Sequence, residues 1–290
     1  MKTTAKRITV IGLGQMGVKI AELLRDNGNE VTVWNRTATR ASEIKGVNFM
    51  ENIDEAIAKS EVSILIVFDY AAINEIFRKI VDISVLKGKT FINLTTGSLQ
   101  DAENLEHFIR QHGGQYLDGA IQVAPEQMGK PDTTILLSGA GPVFEEQESL
   151  IKILGENIKY LGAKISAASA MDLATLGWLY GSYAGLMHGA ALIARTGLDL
   201  GNYRDIIAEI TPGFTEFFKH ELDVIHSGDY TISQSPLSIS AAATARISTA
   251  MKDSGIDHTF HENISLMLKK AVQAGYEKEE LAALVKIVLK

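Results

Sequence analysis

The chain of 290 residues contains no cysteine. Disulfide bonds, a catalytic thiolate and zinc sites with cysteine ligands are therefore excluded. Basic residues are also few relative to acidic ones, 28 against 35, and the formal net charge is -7. Nucleic acids and anionic membranes bind basic surfaces, so neither is expected as the main partner. No metal is predicted. The sequence shows no metal-binding pattern of acidic residues with any of four histidines, His220, His226, His258 and His261.

One long segment lacks charged side chains, since residues 173–194 contain no Asp, Glu, Lys or Arg. A helix that is apolar on all sides lies inside a protein or in a membrane. Glycine recurs at every fourth position from Gly177 to Gly189, a stripe that favours close helix packing in either setting. Because polar side chains share the segment, we expect a buried helix at about 165–196 rather than a membrane span. It would pack against other helices, including those of a second subunit.

The pattern of apolar runs divides the chain into two parts. From residue 6 to about 162, short apolar runs alternate with amphipathic segments, as is typical of a doubly wound parallel sheet. After Gly162 the pattern is helical. We therefore predict an α/β protein with a Rossmann domain at 1–163 and an all-α domain at 164–290. Beyond the first βαβ unit, the predicted strands are Val62–Phe68, Thr90–Leu94, Gln115–Leu117, Thr133–Ser138 and Ile158–Leu161, and the predicted later helices are about 165–196, 202–210, 213–226, 238–254, 258–274 and 278–289.

The N-terminus indicates the compartment. Met1–Arg7 leads into a strand that is too short for the apolar core of a signal peptide. The cytoplasm is therefore the expected location.

A dinucleotide motif stands near the start of the chain. The apolar run Ile8–Ile11 leads into Gly12-Leu13-Gly14-Gln15-Met16-Gly17, and a helical pattern follows. In such a motif the first glycine permits a tight turn and the second lets the backbone approach a pyrophosphate. The third allows close packing of helix and strand, and the helix N-terminus binds the anion. All six residues are predicted to bind the cofactor.

The residues after the second strand indicate which dinucleotide is bound. The acid that would bind the ribose 2′-hydroxyl of NAD is replaced by Asn35, with Arg36, Thr37 and Arg40 beside it. Guanidinium groups bind a 2′-phosphate through charge-assisted hydrogen bonds, so NADPH or NADP+ is the predicted cofactor. The alternative is that both arginines are solvated surface charges.

Residues at the ends of two later strands are further cofactor candidates. Val67, Phe68 and Asp69 close one predicted strand, and Asn93 and Thr95 close the next. Ligands of parallel sheets bind at this edge, and we expect Asn93 and Thr95 to contact the nicotinamide ribose. Asp69 has the alternative of capping the next helix.

Asp172 and Tyr180 on the long helix are the candidate catalytic residues. Eight positions along a helix correspond to about 12 Å, so the two side chains could line one pocket without touching. The alternatives are a cap or first-turn acid for Asp172 and a core or interface aromatic for Tyr180, with Tyr183 as a neighbour of the same type. His188 is expected to be structural.

These motifs together resemble the imine reductases, a family within the β-hydroxyacid dehydrogenase superfamily. The resemblance rests on the glycine motif with Asn35-Arg36-Thr37, on Asn93–Gly97, on Tyr116–Ile121 and on the glycine-striped helix, and it covers nearly the whole chain. It implies NADPH and a long interdomain helix. It also implies a homodimer that exchanges C-terminal helices, with each active site between one chain's first domain and its partner's second.

Two departures from the parent superfamily remove positive character from the substrate side. At Gln122-Val123-Ala124 the chain lacks the Ser-Gly-Gly with which β-hydroxyacid dehydrogenases hold a carboxylate, and no lysine occurs between Lys164 and Lys219 to match their interdomain lysine. An iminium cation suits such a site better than a hydroxyacid. We therefore expect reduction of small cyclic imines of the 1-pyrroline type to amines.

The resemblance also implies roles for individual residues. Tyr180 is the candidate proton donor or hydrogen-bond anchor for the imine nitrogen, and Asp172 would stabilise developing positive charge. Members with tyrosine at the position of Tyr180 tend towards (S)-amines, and an aspartate like Asp172 occurs in reductive aminases. The candidate substrate-pocket residues are Ala120, Gln122, Phe214 and Phe217, although the aromatic cluster of Phe214, Phe217 and Phe218 is expected in the core by default.

Two other functions stay open on the sequence alone. One is a β-hydroxyacid or related carbonyl dehydrogenase with unusual catalytic groups. The other is a non-catalytic protein that senses NADP.

Overall fold

A computed structural model describes residues 5–38, 40 and 44–289. Residues 1–4, on which part of the expected cytoplasmic location rests, lie outside that range. The chain divides into two compact units, Met1–Gly177 and Trp178–Lys290. The division falls within the long helix, whereas the sequence places the domain boundary near residue 163.

An eight-stranded sheet forms the centre of the first unit. Its strands are β1 (Arg7–Ile11), β2 (Glu30–Trp34), β3 (Asn48–Phe49), β4 (Val62–Leu65), β5 (Thr90–Asn93), β6 (Gln115–Ile121), β7 (Thr134–Gly139) and β8 (Asn157–Tyr160). Their order is β3-β2-β1-β4-β5-β6-β7-β8. Neighbouring strands are parallel except β6 and β7, which are antiparallel. The prediction of a purely parallel sheet is wrong at that pair, because only a short 3-10 turn at Pro125–Gln127 joins the two strands where a crossover helix would be needed.

Helices cover both faces of this sheet. They are α1 (Gln15–Asp26), α2 (Ile53–Ala58), α3 (Tyr70–Phe77), α4 (Leu99–Gln111) and α5 (Gly141–Ile151). Ile8 and Val10 of β1 belong to one apolar cluster and Ile11 belongs to the other. Burial on both faces explains why the strands read as continuous apolar runs in the sequence.

The later helices differ from the prediction in two places. They are α6 (Ala167–Thr196), α7 (Leu200–Ser227), α8 (Leu237–Asp253), α9 (Thr259–Gln273) and α10 (Val285–Val288). The two helices predicted at 202–210 and 213–226 form the single helix α7, with Pro212 inside it. Proline removes one helical hydrogen bond, and that loss does not end the helix here. The helix predicted at 278–289 is a 3-10 turn, Leu281–Leu284, followed by the short α10.

The sequence predicts that α6 is a buried central helix. Within one chain, the part of α6 in the second unit is exposed instead. Trp178, Tyr180 and Tyr183 are all more than half exposed. The glycine stripe serves packing in the second unit at Gly189, where a Cβ atom would lie 2.1 Å from the Tyr203 hydroxyl. None of the helices in the described part of the chain is long and apolar enough to cross a membrane.

Candidate cofactor site and active site

A cleft of about 570 Å³ lies at the carboxyl ends of β1, β2 and β4. Most of the predicted cofactor residues line it, namely Gly12, Leu13, Gly14, Gln15, Met16, Gly17, Asn35, Arg36, Thr37, Arg40, Val67 and Phe68. The cleft wall does not include Asp69, Asn93 or Thr95. The sequence analysis missed Trp34, Glu75 and Lys79 of the same wall, since their positions bear no fixed spacing to the glycine motif.

The three glycines of the motif have different surroundings. Gly12 has a φ of +107°, and a Cβ atom there would lie 2.1 Å from the Ile66 carbonyl oxygen. A Cβ atom on Gly17 would lie 2.0 Å from the Gly12 carbonyl oxygen. By contrast, Gly14 precedes α1 without a side-chain cap, and nothing lies within 4 Å of its Cβ position. This cradle fits a pyrophosphate group, because the backbone N–H groups of the helix N-terminus are left accessible.

The end of β2 is tied to the glycine loop by hydrogen bonds. The Leu13 N–H donates to the Asn35 side chain over 3.1 Å, and the Asn35 amide donates to the Thr37 carbonyl over 2.9 Å. Arg40 donates to the Leu13 carbonyl over 3.1 Å. The Arg36 guanidinium is exposed on the cleft wall and lies 3.8 Å from the Glu75 carboxylate.

Asp69 and Thr95 have structural partners. The Asp69 carboxylate caps α3 by accepting a 2.7 Å hydrogen bond from the Ala72 N–H, which is the capping alternative. The Thr95 hydroxyl accepts a hydrogen bond from the Val67 N–H over 3.0 Å.

Asn93 has no exposed surface, and its amide donates to the Tyr70 hydroxyl over 2.7 Å. Contact between Asn93 and a nicotinamide ribose stays a prediction. For that contact, the Asn93 amide would have to replace one of its present hydrogen-bond partners with the ribose.

A buried carboxylate lies beneath the same edge of the sheet. Asp118 has no exposed surface. It accepts hydrogen bonds from the hydroxyls of Tyr70 (2.7 Å), Tyr116 (2.9 Å) and Ser169 (2.6 Å), and from the Asn93 amide (3.2 Å). Burial raises the pKa of Asp118, and these hydrogen bonds offset part of the shift. The network joins β5, β6 and α3 to the first turns of α6.

Asp172 is only 3% exposed and lies beyond the first turn of α6, so the first-turn alternative is wrong. Its carboxylate accepts a 2.6 Å hydrogen bond from the Gln122 amide, and the Thr175 hydroxyl donates to Gln122 over 2.8 Å. Burial raises the pKa of Asp172, while hydrogen bonds from Gln122 and Thr96 lower it. Thr96 and Thr175 were missed by the sequence analysis.

Ala120 does not have the exposure expected of a pocket residue. It is buried in an apolar cluster with Leu136 and Ala168, because both faces of β6 are covered and residues 116–120 are all buried.

The remaining candidates lie in the second unit. Tyr180 is 66% exposed. Phe214 and Phe218 are also exposed, so the expectation of a core position is wrong for these two within one chain. Phe217 is half-buried and packs on Phe218 with the ring centroids 5.8 Å apart. The His188 Nδ1–H donates to the Ala184 carbonyl oxygen over 2.8 Å, and the ring stacks on Phe260, which agrees with a structural histidine.

Two families of known proteins match the two parts of the chain. Residues 7–162 match the NAD binding domain of 6-phosphogluconate dehydrogenase. Residues 165–290 match the C-terminal domain of NADPH-dependent reductive aminase-like proteins. The chain is also 30% identical to an NADPH-dependent reductive aminase of Aspergillus oryzae over 288 residues, which cover 97% of this chain and 96% of that protein. The chain belongs to the imine reductase and reductive aminase family.

Solved structures of this family share the fold. An imine reductase from Myxococcus stipitatus in complex with NADP+ gives a TM-score of 0.93 at 26% identity, covering 97% of this chain and 99% of that one. A reductive aminase from Aspergillus terreus in complex with NADPH4, cyclohexanone and allyl amine gives 0.90 at 29% identity, covering 98% and 100%. Membership confirms the resemblance seen in the sequence, and with it an NADPH-dependent oxidoreductase that acts on C=N bonds.

The imine reductase fold predicts different outcomes for two glycine substitutions. Gly14→Ala is expected to fold normally and to weaken NADPH binding by tenfold or more, because the added methyl group occupies free space at the helix N-terminus. Gly12→Ala is expected to destabilise the protein by several kcal/mol, because it meets both an unfavourable φ and a backbone oxygen. Thermal unfolding and fluorescence titration with NADPH measure the two effects. Equal loss of stability in both variants would contradict these assignments.

Proposed function

We propose that this imine reductase uses NADPH to reduce the C=N bond of small cyclic imines of the 1-pyrroline type. The observation that carries the proposal is the environment of Asp172, a nearly buried carboxylate held by neutral partners. Its hydrogen bonds come from Gln122 and Thr96. Within the described residues, no lysine or arginine forms an ion pair with it.

An acid in this setting favours a cationic ligand. Removing a carboxylate from water is unfavourable unless opposite charge compensates it, and the raised pKa of Asp172 reflects that burial. A protonated imine supplies the missing positive charge. A hydroxyacid would add a second negative charge beside the first, which is unfavourable.

Tyr180 is the proposed proton donor. It lies eight residues after Asp172 on α6, and its side chain is exposed in the single chain. A phenol can donate a hydrogen bond to the imine nitrogen, and Asp172 would stabilise the positive charge on the C=N group. When bound, NADPH supplies the hydride. By likeness to the tyrosine-type members we propose an (S) preference, with reductive amination as a further activity.

The cleft residues support selection of NADPH over NADH. Arg36 is exposed on the wall, and its only observed ion pair, with Glu75, is long and exposed within the described part of the chain. A 2′-phosphate could replace Glu75 as its partner. Lys79, on the same wall, lies 5.9 Å from the centre of the Trp34 ring and adds a third positive charge to those of Arg36 and Arg40.

The exposed side chains of α6 and α7 support a homodimer with exchanged C-terminal helices. Large apolar side chains on these two helices are exposed, namely Trp178, Leu179, Tyr183, Met187, Ile206, Ile210, Phe214, Phe218 and Leu222. On α7 these side chains recur at every fourth position from Ile206 to Leu222 and therefore share one face of the helix, and large exposed apolar surface marks an interaction site. A second copy of the chain presents the same surface and can cover it by two-fold symmetry.

The substrate proposal predicts NADPH oxidation with 1-pyrroline and its analogues, but neither NADPH oxidation with 2-keto acids nor NADP+ reduction with 3-hydroxy acids. Tyr180→Phe is expected to lower kcat at least a hundredfold, because it removes the proton donor while keeping the ring. Tyr183→Phe, an exposed tyrosine three residues further on the same helix, is the matched control and should leave kcat unchanged. Activity on the acids alone, or full turnover by Tyr180→Phe, would overturn the assignment.

The cofactor proposal predicts that Arg36→Ala raises the Kd for NADPH by about tenfold to a hundredfold, as expected for one charge-assisted hydrogen bond. The Kd for NADH should not change, since NADH lacks the phosphate. Arg78→Ala, at an exposed arginine outside the cleft wall, serves as the control. If Arg36→Ala raises the Kd for NADPH and the Kd for NADH equally, Arg36 does not bind the 2′-phosphate.

The dimer proposal predicts a sedimentation mass of about 63 kDa, twice the 31.5 kDa of one chain. Ile206→Glu places a charge on the exposed apolar surface and should shift the protein towards monomer. Asn263→Glu adds the same charge at an exposed polar position of α9 and should not. A wild-type protein that sediments as a monomer would exclude the arrangement.

A further inference from the structure

Three side chains with metal-binding groups meet in the second unit. His220 and Glu221 are adjacent near the end of α7, and Glu280 immediately precedes the 3-10 turn Leu281–Leu284. Their ligand atoms all lie within 4.8 Å of one another. No metal was expected from the sequence, since the histidines show no grouping with acids there. The sequence does not reveal this cluster, because Glu280 is far from the other two residues along the chain.

The Glu221 carboxyl group lacks a partner. Glu221 is 8% exposed, and both of its carboxylate oxygens are buried without a hydrogen bond. No other carboxyl group in the described part of the chain is in this condition. An unsatisfied buried acid destabilises a protein unless a ligand or a proton compensates it.

Glu280, by contrast, is held as a carboxylate. It accepts hydrogen bonds from the backbone N–H groups of Ser233 (2.6 Å), Gln234 (3.0 Å) and Ser235 (3.1 Å). Within the described residues, neither glutamate forms an ion pair with a lysine or arginine. Among the described residues, the His220 imidazole is therefore the basic group of this cluster, and its two carboxyl groups have no lysine or arginine partner.

The ligand atoms of the three residues are close enough for a small cation to draw them together. They all lie within 4.8 Å of one another, and the Ser233 hydroxyl bridges two of them, 2.8 Å from the His220 Nε2 atom and 3.1 Å from a Glu280 carboxylate oxygen. Two donors bound to one zinc ion at about 2.1 Å and roughly tetrahedral angles are about 3.4 Å apart, and slightly closer at smaller angles. Small shifts of these side chains would bring nitrogen and oxygen donors from three chain segments around one ion.

We propose that His220, Glu221 and Glu280 bind a divalent transition-metal ion in the second unit. One imidazole and two carboxylates suit Zn²⁺ better than Mg²⁺, which prefers oxygen ligands alone. The ion would satisfy the Glu221 carboxylate and join the end of α7 to the loop at Ser233 and to Glu280. Its role is structural and independent of the dinucleotide cleft.

Titration of the chelator-stripped, full-length protein with Zn²⁺ tests the proposal. Calorimetry should show one ion per chain, and zinc at about a hundred times its Kd should raise the midpoint of thermal unfolding by roughly 5 °C. Mg²⁺ at the same concentration should not. Glu221→Gln keeps the size of the side chain and should weaken zinc binding at least a hundredfold, and His220→Gln should do the same.

His226→Gln, at an exposed histidine on the same helix, is the matched control and should bind zinc like the wild type. The proposal is overturned if the wild type binds no stoichiometric zinc, or if Glu221→Gln and His220→Gln both bind it unchanged. A Glu221→Gln variant that is more stable than a zinc-insensitive wild type would show that the two carboxyl groups share a proton instead. Since His220 is only half-buried, His220→Gln is expected to fold even if Glu221→Gln does not.

Discussion

The first unit depends on backbone segments that lie so close together that only glycine, with a hydrogen atom in place of a side chain, fits between them. At Gly12 the chain leaves β1 with a positive φ and passes the end of β4, and at Gly17 the first helix packs on the same turn. The loss of either contact would move α1 away from the sheet. Because α1 is held so closely, its N-terminus lies fixed at the edge where the cleft forms. Cofactor binding in this family therefore rests on a packing constraint of the fold, and Gly14 alone among the three glycines is free of it.

A second constraint acts beneath that edge, through the buried carboxylate of Asp118. Its hydrogen bonds reach Tyr70 on α3, Asn93 at the end of β5 and Ser169 near the start of α6. In a low-dielectric interior such bonds are strong, and a lost partner leaves a buried charge unsatisfied. The network therefore fixes the direction in which α6 leaves the sheet. Asp172 follows Ser169 by about one turn, so the same bonds also determine where its carboxylate lies relative to Gln122.

The sequence predicts well those features that depend on local pattern. Short apolar runs in the sequence locate most strands, and the glycine spacing locates the residues of the cleft. It fails where the deciding interaction is between distant segments. The antiparallel return of β7 depends on a connection without a crossover helix, and the continuity of α7 through Pro212 runs against the intrinsic preference of proline. Likewise, the partners of Asp172 come from β6, β5 and α6 together, and only Gln122 among them was named from the sequence. The His220, Glu221 and Glu280 cluster escaped for the same reason.

Three buried acids of this chain differ in how their surroundings compensate the negative charge of the carboxylate. Asp118 is surrounded by hydroxyl and amide donors, and Glu280 by backbone N–H groups, so each is compensated by the protein itself. Asp172 receives fewer hydrogen bonds, from Gln122 and Thr96, and the long helix on which it lies brings no lysine. In the proposed function, the bound molecule supplies the remaining compensation. A substrate that acquires positive charge on nitrogen provides it, whereas a carboxylate substrate would be repelled. If Asp172 has its proposed role, the absence of lysine from the long helix is a basis of specificity, because it leaves Asp172 as the charged group that a substrate must match.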